Sequence, residues 1–566
     1  MITYNNKIHY LRQMLQSEAV SQLGRRKGPG LWLALGFLGL AAALIFARLG
    51  HYPLWDDEAG TALGAKGVLR AGDTSALVDD HNILAYRGGS ELVNLRVRYV
   101  PPLQVYLTAP FLAVFGEDSA LAARLPFALC GLAVLALIVW WLWRANAGGT
   151  FALLLCLGLV CNVSLILYSR QCRYYSAGML CCVAVAYLYL NWKGQRGWLP
   201  AIGLISFCLL ALNYLYYLAF YVCLAADYAF WRRREKRLGA RDWLALLLPQ
   251  LVLGAVVIWI WNPFSRQVVG EDTVPWLQGK LTLFWWNWRD LDRCEFGSLL
   301  VLGMAPLLYR RSGNPWLIRA PLALFIFVSV MTLCAPHPMS RTTVADVRYL
   351  APAIPLCVAV EALTLCALAG GRRWAAVALG AVVFGTNLGN GGPALWCGFR
   401  STIASYVGEI FHPPSDPYTE TAQWINGHVR ENESIWVRPE HACYPLMFHA
   451  PKATYAWQLA GPPTGQFAGL PPIHFFGETP PDYIIVFGPE VRAMTRRLYE
   501  WRGQGVHYGA ILTIHHYWDQ RYRPELFWHV FSESNFPSEQ DNAIYVFRHL
   551  AEEDSDRSNW KPREFP

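Results

Sequence analysis

Three carboxylates stand side by side at Asp56, Asp57 and Glu58, in a stretch HYPLWDDEAGTAL that begins one residue after an apolar run. If that run crosses a bilayer, the acids sit at a membrane interface, where charge is costly unless it has a task. Carboxylates so placed can bind a divalent cation, hold a phosphate-bearing substrate through it, or act as a general base toward a hydroxyl. Adjacent residues point in different directions on a helix or a strand. At most two of the three can therefore face one reacting atom, and the third is available to cap a helix. The plain alternative is an aqueous loop that is simply acidic.

Complementary cations lie elsewhere in the chain. The segment SRQCRYY sets Arg170 and Arg173 three apart at the edge of an apolar run, a spacing that would put both on one face of a helix. Two guanidinium groups suit a diphosphate or phosphodiester, because arginine presents a fixed fork of donors; snorkelling to lipid phosphates would also explain them. Between Pro336 and Tyr349 the chain adds His337, Arg341, Asp346 and Arg348. Arg348, beside Asp346 and followed at once by an apolar run, is a candidate anion clamp, whereas a lone histidine such as His337 is more often structural than catalytic. Lys280 and the Trp285, Trp286, Trp288 cluster could face a lipid chain or a sugar, or form an aromatic belt.

The composition says what must position these groups. Of 566 residues, 54% are hydrophobic and only 16% charged, against about 25% charged in an ordinary soluble domain. The 14% aromatic content suits many helix ends at lipid headgroups. A net charge of +8 raises the question of nucleic acid, but the compact basic clusters at Arg25-Arg26-Lys27, Arg232 to Arg237, Arg310-Arg311 and Arg372-Arg373 all abut apolar runs. That is the positive-inside pattern of short cytoplasmic loops, and no nucleic-acid partner is implied. The 14 cysteines show no CxxC zinc spacing and lie mostly in apolar runs, where cysteine acts as a small hydrophobe.

An apolar helix needs about 20 residues to cross the hydrocarbon. Runs over 31–50, 125–143, 149–168, 174–192, 198–212, 213–230, 243–261, 296–309, 316–333, 350–369 and 374–389 predict an α-helical polytopic membrane protein of about 11 spans. Residues 1–30 form a cytoplasmic tail, 51–120 a long outer loop with an interface-lying or re-entrant helix at 101–116, and 390–566 an outer domain. In that last part SIWVRP, DYIIVFG, GAILTI and NAIYVF read as strands between amphipathic helices, which predicts a soluble α/β domain. With this alternation, 51–120, 169–175, 262–294 and 335–349 all face one compartment.

The ordered set of a DE pair, PPL, GEDSALAARLP, SRxxRYY and DVRYLAPAIP resembles the PMT/ArnT class of membrane glycosyltransferases, the family 39 and RgtA/B/C/D-like enzymes with a GT-C fold. The similarity spans residues 31–389. It implies an inverting transferase in a bacterial inner membrane that moves a sugar from a polyprenyl-phosphate donor to a lipid, glycan or protein hydroxyl on the extracytoplasmic face. By the resemblance, the catalytic carboxylate maps to Asp57, with Glu58 beside it and Asp56 as an extra acid, and the proline pair maps to Pro101 and Pro102. Arg170, Arg173, Arg348, Lys280 and His337 remain candidates for the phosphate and substrate. No cofactor is certain; a divalent cation, if used, would lie at Asp57 and Glu58. Protein mannosyltransferases carry a second acid where this chain has Tyr174 or Tyr175, so the RgtA/B/C/D-like members are the nearer match. Members of the class often add a soluble outer domain after the last span. A flippase or transporter of lipid-linked glycans, which would more often show paired repeats and broken helices, and a non-catalytic envelope assembly subunit are the competing classes.

Overall fold

The computed structural model describes residues 29–145, 147, 149–195, 197–262, 275–295, 298–335, 347–386, 402–413, 416–431, 433–456, 459, 461–475, 479–488, 490–515 and 543–550. Helices follow one another through the apolar part of the chain. Pro29–Phe46 is the first, and Asp56–Ala71 opens the stretch read as an outer loop. A short antiparallel ribbon of β1 (Leu92–Val93) and β2 (Arg96–Val97) and the helix Leu103–Phe115 complete that stretch. Leu103–Phe115 packs its buried Val105, Ala109 and Leu112 toward the helices on either side of it in sequence.

Among the described residues, four helices are long and apolar enough to cross a membrane: Ala120–Arg144, Ala240–Ile260, Trp316–Cys334 and Arg348–Leu368. Gly149–Cys161 and Val163–Ser169 make a fifth if counted as one span bent by 60°. The chain is thus an integral membrane protein, but the expected count of about 11 spans is not reached. Several of the apolar runs fold as helices that are too short for a span, such as Tyr175–Asn191, Trp198–Leu212 and Arg373–Gly385. The bend has a local cause. Asn162 ends the first helix and caps the second, its side-chain oxygen accepting the Leu165 N–H at 2.7 Å.

A distinct C-terminal region carries a five-stranded mixed sheet built from β3 (Ser434–Arg438), β4 (Thr454–Tyr455), β5 (Tyr483–Phe487), β6 (His507–His515) and β7 (Ala543–Leu550). The strand order is β4-β3-β5-β7-β6, with β4, β3 and β5 parallel and β7 antiparallel to both its neighbours. All four expected strands are present, and the buried runs of β5 and β7 read as the continuous apolar stretches of strands covered on both faces.

The C-terminal region is joined to the 51–120 stretch by paired polar groups. Asn82 acts as a surrogate strand residue, donating to Ala453 O at 3.0 Å and accepting from Tyr455 N at 2.8 Å. Tyr444 donates to Ala85 O at 2.7 Å, and Gln466 bonds both Leu95 N and Leu92 O at 3.2 Å. The helix Cys443–His449 packs directly on Asp56–Ala71.

Candidate active site

The acidic triplet is the first turn of the Asp56–Ala71 helix, where negative charge is favoured by the helix dipole. Successive helical residues are about 100° apart, and the three carboxylates part company accordingly.

Glu58 turns inward. It is 1% exposed, and Arg124 grips it twice, Nε to Oε1 at 2.9 Å and Nη2 to Oε2 at 2.6 Å. Its oxygens also accept the Cys172 N–H at 2.7 Å and the Trp55 N–H at 3.3 Å. Arg124 spends its remaining donors on the carbonyls of Leu49, Tyr52 and Pro53. The Glu58–Arg124 pair thereby ties three segments together: the end of the first helix, the start of the Asp56–Ala71 helix and the turn that carries Arg173. Both Glu58 oxygens are thus buried and engaged by Arg124 and backbone N–H groups, unlike those of its neighbour Asp57.

Asp57 stays partly exposed, with 33% of its side chain accessible. Its Oδ1 lies 3.3 Å from Arg173 Nη2 and its Oδ2 lies 3.2 Å from Arg348 Nη1. Arg173 comes from the 170–174 turn between Val163–Ser169 and Tyr175–Asn191, and its Nη1 also donates to Thr61 Oγ1 at 3.2 Å. Arg348 enters from the 3-10 turn Val347–Ala353, whose position is fixed by Tyr216 donating to the Arg348 carbonyl at 2.9 Å. The Arg348 guanidinium stacks over Trp55 and Tyr349, 5.3 and 5.0 Å from the ring centres. Arg173 Nε is buried without a hydrogen-bond partner, as is Trp55 Nε1. Two cations, an aromatic face and buried donors thus surround one carboxylate.

Asp56 is the third acid. Burial and the neighbouring Asp57 push its carboxyl up to about 6, against the pull of His441, Arg348 and the Asp57 N–H that it accepts at 2.8 Å.

Two of the candidate cations do not join this cluster. The 170–174 segment is a turn, not a helix, so the three-residue spacing of Arg170 and Arg173 does not put them on one face. Arg170 instead caps the first helix, donating to the carbonyls of Leu44, Ile45 and Ala47 at 3.1, 2.8 and 2.7 Å. Lys280 does likewise for Trp316–Cys334, bonding Thr332 O and Ala335 O at 3.2 and 2.6 Å. Helix ends leave unpaired carbonyls that draw cations, which accounts for where both side chains lie. His337 lies outside the described residues.

A divalent cation at Asp57 and Glu58 does not fit this arrangement. Glu58 has no oxygen to spare, and Asp57 is flanked by two guanidiniums that would repel a dication. Among the described residues no group of three or more His, Cys, Asp or Glu side chains gathers to hold a metal.

Arg124 was missed by residue-level reading. Its signal was present, as a charge five residues into an otherwise apolar helix, since a buried arginine demands a carboxylate. Trp55, Thr61 and Tyr349 carried no such signal.

The whole-chain shape can be compared with known structures. ArnT from Cupriavidus metallidurans in the apo state superposes with a TM-score of 0.53 at 16% identity, over 91% of this chain and 97% of that one. ArnT from the same organism bound to undecaprenyl phosphate gives 0.51 at 15% identity, over 92% and 98%. This chain has the ArnT fold. The likeness runs through the C-terminal region as well as the apolar helices, so the GT-C-like architecture expected from the motifs holds at the level of fold. No protein-family model matches the chain, and no curated protein matches it.

Proposed function

We propose that the chain is an inverting glycosyltransferase that moves a sugar from a polyprenyl-phosphate donor to a hydroxyl acceptor. The observation that carries this reading is the Asp57 carboxylate held between Arg173 and Arg348 at a helix N-terminus. The ArnT fold supports it, one of those structures having been solved with undecaprenyl phosphate.

Before donor arrives, Asp57 bridges both guanidiniums and offsets one of their two positive charges. The donor phosphate competes for the same forks, and arginine binds phosphate strongly through paired charged hydrogen bonds. Released from them, Asp57 accepts the proton of the acceptor hydroxyl as its oxygen attacks the anomeric carbon. The bond from that carbon to the phosphate oxygen breaks, its electron pair leaves on the polyprenyl phosphate, and Arg173 and Arg348 stabilise the developing charge. A phosphate leaving group needs no strong general acid, in keeping with tyrosines at 174 and 175. Basic clusters at the apolar boundaries support a site on the extracytoplasmic face of a bacterial inner membrane, and the hydrogen bonds from the C-terminal region to the 51–120 stretch favour the same side for both.

The test is transfer by the purified chain from a panel of defined polyprenyl-phosphate sugars, read as free polyprenyl phosphate and glycosylated acceptor. Movement of intact donor between leaflets without release would favour a transporter, and neither activity would favour an assembly subunit.

A further inference from the structure

The turn Tyr52 to Trp55 hands the chain from the first helix to the catalytic helix, and its polar backbone groups are met one by one. Arg124 takes the Tyr52 and Pro53 carbonyls, and Glu58 takes the Trp55 N–H. The Leu54 N–H, on a residue 0% exposed, donates at 2.9 Å to Nε2 of His449. That histidine ends the helix Cys443–His449, almost four hundred residues away in the C-terminal region.

We infer that His449 is a positioning residue through which the C-terminal region sets the backbone ahead of Asp57. A histidine can accept at Nε2 only when that nitrogen is unprotonated. Its surroundings enforce this. Burial and the nearby cations Arg124 and Lys66 push the imidazole down to about 4, with Asp118 pulling only weakly the other way. Lys66, paired with Asp118, also lies over the Phe448 ring at 4.6 Å from its centre, so the His449 helix is held by the catalytic helix on a second contact. Asn426 fixes the His449 carbonyl at 3.1 Å. Without an acceptor, a buried N–H three residues before Asp57 would seek another partner, and the turn would shift the carboxylate relative to Arg173 and Arg348. The C-terminal region is on this view a built part of the site, not an appended module.

The experiment uses the full chain in lipid nanodiscs, with His449→Leu to remove the acceptor at similar bulk and His449→Gln to return an oxygen at similar reach. Hydrogen–deuterium exchange over Tyr52 to Asp57 is the first readout, and kcat against donor KM is the second; the kinetic arm rests on the glycosyl-transfer reading, the exchange arm does not. For His449→Leu we expect about tenfold faster exchange in that peptide and kcat lowered at least about tenfold with donor KM little changed, both largely restored in His449→Gln. Unchanged exchange, or faster exchange with wild-type kcat, would overturn the inference. Should the leucine variant fail to fold, His449→Gln still decides, because loss of protection and rate despite a retained acceptor contradicts the role. Wild-type chain that transfers no sugar would sink the function while leaving the exchange result to stand alone.

Discussion

Glu58 and Arg124 form a two-point ion pair, 2.9 and 2.6 Å, inside the core directly beneath the candidate catalytic carboxylate. Breaking a buried pair from one side strands the other charge, at a cost of about 3–5 kcal/mol. Glu58→Gln should therefore lower the thermal unfolding midpoint and folded yield together with turnover. A Glu58→Gln protein of normal stability but no turnover would hand Glu58 back its chemical role.

Asp57→Asn keeps shape and removes basicity. Transfer should fall about 10²–10⁴-fold, while binding of polyprenyl phosphate is retained or tightened, because the resident anion that competes for Arg173 and Arg348 is gone. Isothermal or fluorescence binding on the variant, set beside its rate, tests both halves. Weakened binding would mean that Asp57 organises the donor site instead of competing for it.

The two arginines of the cluster should behave differently from the one outside it. Arg173→Lys and Arg348→Lys each keep a charge but lose the fork, and at least about a tenfold loss of rate, or about 1.4 kcal/mol, is expected. Arg170→Lys should lower stability, through fewer bonds to the Leu44, Ile45 and Ala47 carbonyls, with turnover per folded molecule close to wild type. Equal kinetic damage in all three variants would contradict the division.

Asp56 gives a pH signature. Its carboxyl stands at about 6 in the folded chain against an ordinary 3.8, so the folded form holds a proton more readily than the unfolded one. The associated stability is present at low pH and lost as pH rises through about 6. Asp56→Asn, always neutral, should be more stable than wild type near pH 7.5, by at most about 3 kcal/mol, and the gap should close below about pH 4. Unfolding midpoints of the pair across this range provide the measurement; a less stable asparagine variant at neutral pH would contradict the assignment.

The sequence by itself determined the local features. Unbroken apolar runs made helices where hydropathy put them, and β-branched runs made β3, β5, β6 and β7, because each depends on neighbours along the chain. The helix that the acid triplet opens was not read from the sequence, where 51–120 stood as an outer loop and one acid was only offered as a helix cap. Tertiary structure decided what each charge does. Arg170 and Arg173 share a motif and a spacing, yet a turn between two helices sends one to the carbonyls of Pro29–Phe46 and the other to Asp57. Glu58 and Asp57 are adjacent, yet the helical twist and Arg124 bury one and leave the other partly exposed between Arg173 and Arg348. His449 carries nothing in its own neighbourhood to tie it to Leu54, 395 residues earlier. Charges act through space, and the partners that fix their roles here lie far away along the chain, 66 residues for Glu58 and Arg124 and 291 for Asp57 and Arg348, where sequence pattern has no reach.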